Sequence, residues 1–236
     1  PAGGVGPGTL GAGGGTRGDR FPGGPPGRPP AAGGTRYGPA DATHPALGRA
    51  WRLVLVPRAG LVDEVAARER SGWRPAGTWA TEALRVAAWR PRAALDSDHR
   101  SIPHELDWLR TAVHLTKGCY RGQETVARVH NLGRPPRRVV MLHLDGSGHL
   151  LPEPGAAVSL DEREVGRVTP VARHHVLGPV ALAVVKRNVP AGAELLVAAE
   201  GGSVAAAQEV VVPADGVSVD RPAPRPALPG LRPQRP

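Results

Sequence analysis

Apolar and polar positions change rhythm near residue 135. Before it, apolar residues recur at helical spacing, and after it they come in short runs broken by turns. Leu61, Val62, Val65 and Ala66 form a stripe that predicts a helix over 61–70, closed by Gly72. Residues 78–84 predict a second helix with Thr78 or Thr81 as its N-cap. Leu106, Leu109 and Val113, with Trp108 more loosely aligned, predict a third over 106–115. Residues 124–130 predict a fourth, closed by Asn131 and Gly133. Residues 51–56 alternate bulky side chains up to Pro57 and predict a strand, and 85–89 read as another before Pro91.

Pro135-Pro136 ends this pattern. Residues 138–144, 157–160, 164–171, 180–186, 194–197 and 204–212 are short runs rich in Val and Leu. Asp145-Gly146, Pro154-Gly155 and Ala191-Gly192 supply turns between them. About six strands at this spacing predict a small antiparallel barrel or sandwich, with a boundary near 134–137. Helices with strands followed by strands alone make the chain α+β.

Composition changes the picture at the two ends. Residues 1–40 hold 15 Gly and 8 Pro with almost no large apolar side chain, so they cannot offset their ordering entropy. Disorder is therefore expected over 1–44, and the Arg-Pro and Ala-Pro repeats of 214–236 read as a second disordered, Pro/Arg-rich segment. The net charge of +9 falls to +4 once the +3 of residues 1–40 and the +2 of 214–236 are set aside. With eight aromatic residues and no long basic run, a stacking surface for nucleic acid is not expected. The mild positive balance suits a small anionic ligand. One cysteine rules out a disulfide framework or a Cys-rich metal site within one chain. Apolar runs such as 180–185 are far too short to span a bilayer, and no charged and then apolar leader opens the sequence. A reducing cytoplasm is the expected compartment. Pro1 opens the sequence and Met141 is its one methionine, so a fragment of a longer protein is expected.

The rare residue types gather in one octet, Lys117-Gly118-Cys119-Tyr120-Arg121-Gly122-Gln123-Glu124. It holds the one cysteine, one of two tyrosines, one of two lysines and one of three glutamines. A lone cysteine is usually a small buried apolar residue. A lysine two positions away on a glycine-bearing loop would instead favour its thiolate, if both side chains face one space. The octet also opens the helix at 124, whose first N–H groups could point at an anionic ligand.

The octet resembles the signature of the YgfZ-type folate-binding proteins, Lys-Gly-Cys-(Phe/Tyr)-x-Gly-Gln-Glu, at every defined position. Those proteins are relatives of the glycine-cleavage T-protein, an aminomethyltransferase that uses tetrahydrofolate. The resemblance extends to His104-Glu105-Leu106-Asp107-Trp108, to Gln123-Glu124-Thr125-Val126-Ala127-Arg128, and to the barrel segments Val165-Gly166-Arg167-Val168-Thr169 and 181–185. It implies that 45–135 is the C-terminal part of a folate-binding α+β domain and 136–213 a C-terminal β-barrel. The domain's N-terminal half would precede Trp51, where this chain has its Gly/Pro tract.

The resemblance implies a folate-binding accessory protein for iron–sulfur cluster assembly or repair, and through it tRNA modification. Its partners would be folate and iron–sulfur client or assembly proteins, with no membrane. Cys119 and Lys117 would be the reactive pair, and a transient cluster could be held through Cys119. Tyr120, Gly118, Gly122, Gln123, Glu124 and Asp98 would form the tetrahydrofolate site, Gln123 by bonding the pterin or pinning the loop. The alternatives are a tetrahydrofolate-dependent aminomethyltransferase or a truncated, inactive remnant. T-proteins carry a pterin-binding glutamate in the segment matching 85–88, where this chain has alanine, which counts against the transferase.

Other candidates are weaker on residue grounds. Asp96 and Asp98 flank a serine and read first as a solvated loop. His104-Glu105 begins a zinc-protease pattern that fails at Trp108. His174-His175 reads as a surface turn between strands, and Arg128 as an ion-pair partner of Glu124 one helical turn away. Glycines 11–15 lack the flanking strand and helix of a phosphate loop.

Overall fold

The computed structural model describes residues 34–48 and 54–223. Six strands close into an antiparallel barrel: β1 (Arg137–Leu144), β2 (Ala157–Leu160), β3 (Arg163–His174), β4 (Gly178–Lys186), β5 (Leu195–Ala199) and β6 (Gly202–Val210). Their order round the barrel is β1-β4-β3-β2-β5-β6, and β6 returns to pair with β1 from Val140↔Val210 to Leu144↔Ala206. That last pairing decides between the barrel and the sandwich that the strand spacing left open.

The barrel interior follows from period-two alternation. Val140, Leu142 and Leu144 of β1 point inward with Ala181, Ala183 and Val185 of β4, joined by Val158, Leu195 and Val197. Large side chains face small ones across the pair, Leu142 opposite Ala181 and Val140 opposite Ala183, which lets the narrow interior fill without voids. Gly166 of β3 is required by close approach, because a Cβ there would lie 2.4 Å from the Val184 carbonyl oxygen. The β3–β4 register shifts between Val168 and Val171, so Pro170, which has no N–H to give, falls in the irregularity.

The opposite faces of β1 and β4 are also buried. Val139, Met141, Val180 and Leu182 form a second core with Tyr37, Val86, Trp89, Leu106, Leu109 and Val126 of the preceding segments. Val86, Leu106 and Val126 come from α2 (Thr78–Ala87), a short 3-10 turn (Pro103–Leu106) and α3 (Gln123–Leu132), and Tyr37, Trp89 and Leu109 from the segments between and before them. The first helix, α1 (Leu61–Arg70), buries none of its residues. Its stripe of Leu61, Val62 and Val65 is 42–77% exposed, and Trp73 and Trp79 beyond it are 63% and 89% exposed.

Several expected elements differ. Of the strand expected at 51–56, residues 51–53 lie outside the described ones and 54–56 carry no strand. The strand expected at 85–89 is the end of α2, because Ala83 and Val86, three apart, are buried and Arg85 turns back onto Glu82. Neither Thr78 nor Thr81 caps α2; Gly77 stands there without a side-chain bond. The helix expected at 106–115 stops at the 3-10 turn because Asp107 is left-handed at φ 54°. Its carboxylate accepts the Tyr37 N–H at 3.1 Å and Arg110 Nε at 2.7 Å instead.

The disorder expected at both ends falls largely on 1–33 and 224–236, outside the described residues. Within the same spans, however, Thr35, Tyr37 and Ser218 are buried. The Thr35 and Ser218 hydroxyls lie 2.6 Å apart, and the Val219 N–H reaches the Arg36 carbonyl, so the two ends meet beside Tyr37.

Asp96, expected in a solvated loop, is instead fully buried and ties the helices to the barrel. It accepts Arg85 Nη1 at 2.9 Å, the Arg92 N–H at 2.7 Å and the Thr169 hydroxyl at 2.6 Å. Removing one member of a buried pair leaves the other charge uncompensated. Asp96→Ala is expected to lower the unfolding free energy by about 3 kcal/mol in urea titration.

Candidate functional site

The octet runs as a loop from the end of the 107–116 turns into α3. Gly122 adopts φ +84° immediately before the helix, a conformation that favours glycine, and its carbonyl accepts the Val126 N–H. Gly118 has open space around it and no positive φ. The Gln123 backbone N–H closes the turn onto the Tyr120 carbonyl at 3.2 Å. Its side chain, expected to pin the loop, makes no hydrogen bond among the described residues. Glu124 and Arg128, expected to pair along α3, make no ion pair among them either.

A groove of about 410 Å³ opens between this loop and residues 99–103, floored by Val113 and Val126. Tyr120 lines it, half-buried against the second core, with Lys117 Nζ 5.1 Å above its ring centroid. Burial raises the Tyr120 phenol above its ordinary pKa, so it stays a neutral hydrogen-bonding group. Lys117, Arg121 and Gly122 line the groove as well, facing His99 and Arg100 across it. Cys119, Gln123 and Glu124 are outside its lining. Cys119 is a free, exposed thiol with Lys117 turned to the tyrosine ring rather than bonded to it.

Asp98 is held apart from the octet groove. Its carboxylate takes Arg137 through both Nη atoms at 2.8 and 3.1 Å, the Ser101 hydroxyl at 2.9 Å and the Arg100 N–H at 2.9 Å. The Arg137 guanidinium holds it well below the usual carboxylate range. Arg137 also grips the buried Glu105 at 2.9 Å, so one cation fastens the 98–105 segment to the first residue of β1. Asp98 faces a second, broader groove of about 1000 Å³ that runs over β3 past Arg167 and Lys186. The two grooves share His99, Arg100 and Ser101.

Sequence reasoning passed over three features. Arg100 and Arg121 line the octet groove; Arg121 stood in plain view as the variable position of the octet. The third is a buried polar group under α3. His104 is fully buried edge-on to Tyr37, ring centroids 5.1 Å apart, and neither of its nitrogens has a hydrogen-bond partner. The Tyr37 hydroxyl and His130 Nδ1 are likewise buried and unpartnered. The His174-His175 pair is the turn it was read as, with His174 Nδ1 accepting the N–H groups of Val176 and Leu177. Among the described residues no three His, Cys, Asp or Glu side chains gather to hold a metal ion. No described helix is long and apolar enough to cross a membrane.

Residues 137–214 match the family described as the glycine cleavage T-protein C-terminal barrel domain. The six-stranded barrel is therefore of the glycine-cleavage T-protein type. Over 66% of this chain the fold resembles a solved aminomethyltransferase T of the glycine cleavage system from Bartonella henselae, with a TM-score of 0.52 and 21% identity over 43% of that chain. A chloroplastic protein of Arabidopsis thaliana, provisionally named a transferase, is 32% identical over 99 residues, 40% of this chain and 21% of that protein. The chain thus spans less than half the length of either relative.

Two expectations follow from this site. Burial and the nearby His130 lower the His104 pKa from 6.5 to about 4, so the folded state holds it neutral where the unfolded chain would protonate it. Its contribution is complete above pH 6.5 and is lost as pH falls toward 4. The melting temperature of the chain should fall relative to that of His104→Leu as pH drops through that window, the variant having the flatter profile. Exposed Cys119 should alkylate fully with iodoacetamide in the native chain, giving one adduct by intact mass.

Proposed function

We propose that this chain carries one side of a folate-binding site, built by its octet loop on a T-protein-type barrel. The observation that carries the reading is the groove itself. It joins a half-buried tyrosine ring to lysine and arginine side chains, the combination that suits a ligand with a flat aromatic part and an anionic part. Its volume of about 410 Å³ lies within the range of small-ligand sites. The partial folate-binding α+β segment at 45–135 and the barrel at 136–213 are read together as this half of the site.

The longer reading is a folate-dependent accessory protein for iron–sulfur cluster assembly or repair, and through it tRNA modification. Its support is the octet's match to the YgfZ-type signature and the exposure of Cys119 on the octet loop. A thiol in that position is open to a partner protein. With no metal-ligating cluster among the described residues, a cluster would be shared with a client rather than held by this chain. The segment where T-proteins carry their pterin-binding glutamate falls on the buried last turn of α2, with Arg85 and Val86 both turned to the core. Residues 85–88 thus carry no carboxylate at that position, which favours the accessory reading over the aminomethyltransferase one.

Calorimetric titration of tetrahydrofolate into the chain tests the site. Saturable binding is expected. Tyr120→Ala should weaken it roughly tenfold, the scale of one lost aromatic contact. Cys119→Ala should leave affinity unchanged, because the thiol lies outside the groove. No binding by a folded chain would refute the reading.

A further inference from the structure

The charges lining the octet groove are all of one sign. Arg100, Lys117 and Arg121 line it with His99, and no aspartate or glutamate does so among the described residues. None of the three permanent cations has an ion-pair partner there. Four nearby acids are engaged elsewhere, Asp98 and Glu105 by Arg137, Asp96 by Arg85, and Asp107 by Arg110, while the exposed Glu124 at the start of α3 stands outside the lining. Cations gathered without counter-charges in one concave surface repel one another, and an anionic ligand relieves that repulsion.

A folate presents two chemically opposite ends. The pterin's 2-amino and N3–H edge consists of donors, best met by a carboxylate acceptor. The p-aminobenzoylglutamate end carries an aromatic ring followed by two carboxylates. The groove's side-chain acceptors are the hydroxyls of Ser101, Thr125 and Tyr120 and the His99 ring, with no carboxylate among them, whereas its charged side chains are all donors.

Resting on the folate reading above, we infer that this groove takes the p-aminobenzoylglutamate end of the ligand and not its pterin. The benzoyl ring lies against Tyr120 and Val126, and the carboxylates meet Arg100, Lys117 and Arg121. The pterin is directed out of the groove. Further γ-linked glutamates on the tail would pass over the shared 99–101 rim toward Arg167 and Lys186 in the broader groove.

The test titrates the full chain with tetrahydrofolate, p-aminobenzoylglutamate, its γ-linked triglutamate form and uncharged 6-hydroxymethylpterin, at low and high salt. Both p-aminobenzoylglutamates should bind, the triglutamate more tightly, each weakening as salt rises. The hydroxymethylpterin should not bind. Arg121→Ala should weaken p-aminobenzoylglutamate roughly tenfold, the worth of one hydrogen bond to a charged group. Arg121 is exposed, so the variant should keep the wild-type melting temperature. If tetrahydrofolate and the pterin bind while p-aminobenzoylglutamate does not, the inference is overturned and the folate reading stands. If citrate at matched ionic strength displaces p-aminobenzoylglutamate as well as tetrahydrofolate does, the groove is a general anion site and the inference fails. If tetrahydrofolate itself does not bind, the folate reading falls and this inference with it.

Discussion

Two neighbouring strands, β1 and β4, are buried on both faces, and the rest of the molecule is arranged round that constraint. Inward, Val140, Leu142, Ala181 and Ala183 fill the barrel. Outward, Val139, Met141, Val180 and Leu182 need a cover, and α2, the 103–106 turn and α3 supply it through Val86, Leu106 and Val126. Seating these pieces side by side on one patch brings α3 and its octet loop next to residues 99–103. The groove is a by-product of that packing, a gap between two segments that each answer to the barrel wall.

Electrostatics divides the same region into a structural and an available part. Asp96, Glu105 and Asp107 are buried with arginine partners, and Asp98 chelates Arg137 at the surface. Charges taken from water are tolerated only when matched, and here each buried carboxylate is matched by a guanidinium and by backbone or hydroxyl donors. Arg137 holds two carboxylates at once and so binds the 98–105 segment to the start of β1. The charges that line the groove are positive and have no ion-pair partner among the described residues. The positive lining of the groove is thus a consequence of how the acids are used to hold the fold.

The parts of the fold readable from the chain were those set by local alternation. All six barrel strands lie where the Val- and Leu-rich runs placed them, with ends differing by a few residues. The 61–70 helix matches its stripe, although that stripe turns out to be exposed rather than buried. Errors came where a distant partner overrode local preference. Asp107 leaves the helical region because the Tyr37 N–H and Arg110 claim its carboxylate, and neither claim is visible in the spacing of 106–115. Residues 85–89 carry Val and Trp and look like a strand, yet Val86 must sit three residues from Ala83 to cover the barrel.

The octet was conspicuous because it collects rare residues, and sequence alone also placed the helix that follows it. It did not determine which of its side chains share a space. Tertiary structure placed Lys117, Tyr120 and Arg121 in the groove with Arg100, left Cys119 and Glu124 outside it, and turned Asp98 toward Arg137. Alternation and turn chemistry act over a few residues and are written in the chain. Closure of β6 onto β1, and the meeting of residues 99–103 with 117–126, depend on contacts between segments far apart in sequence, and only the packed barrel brings them together.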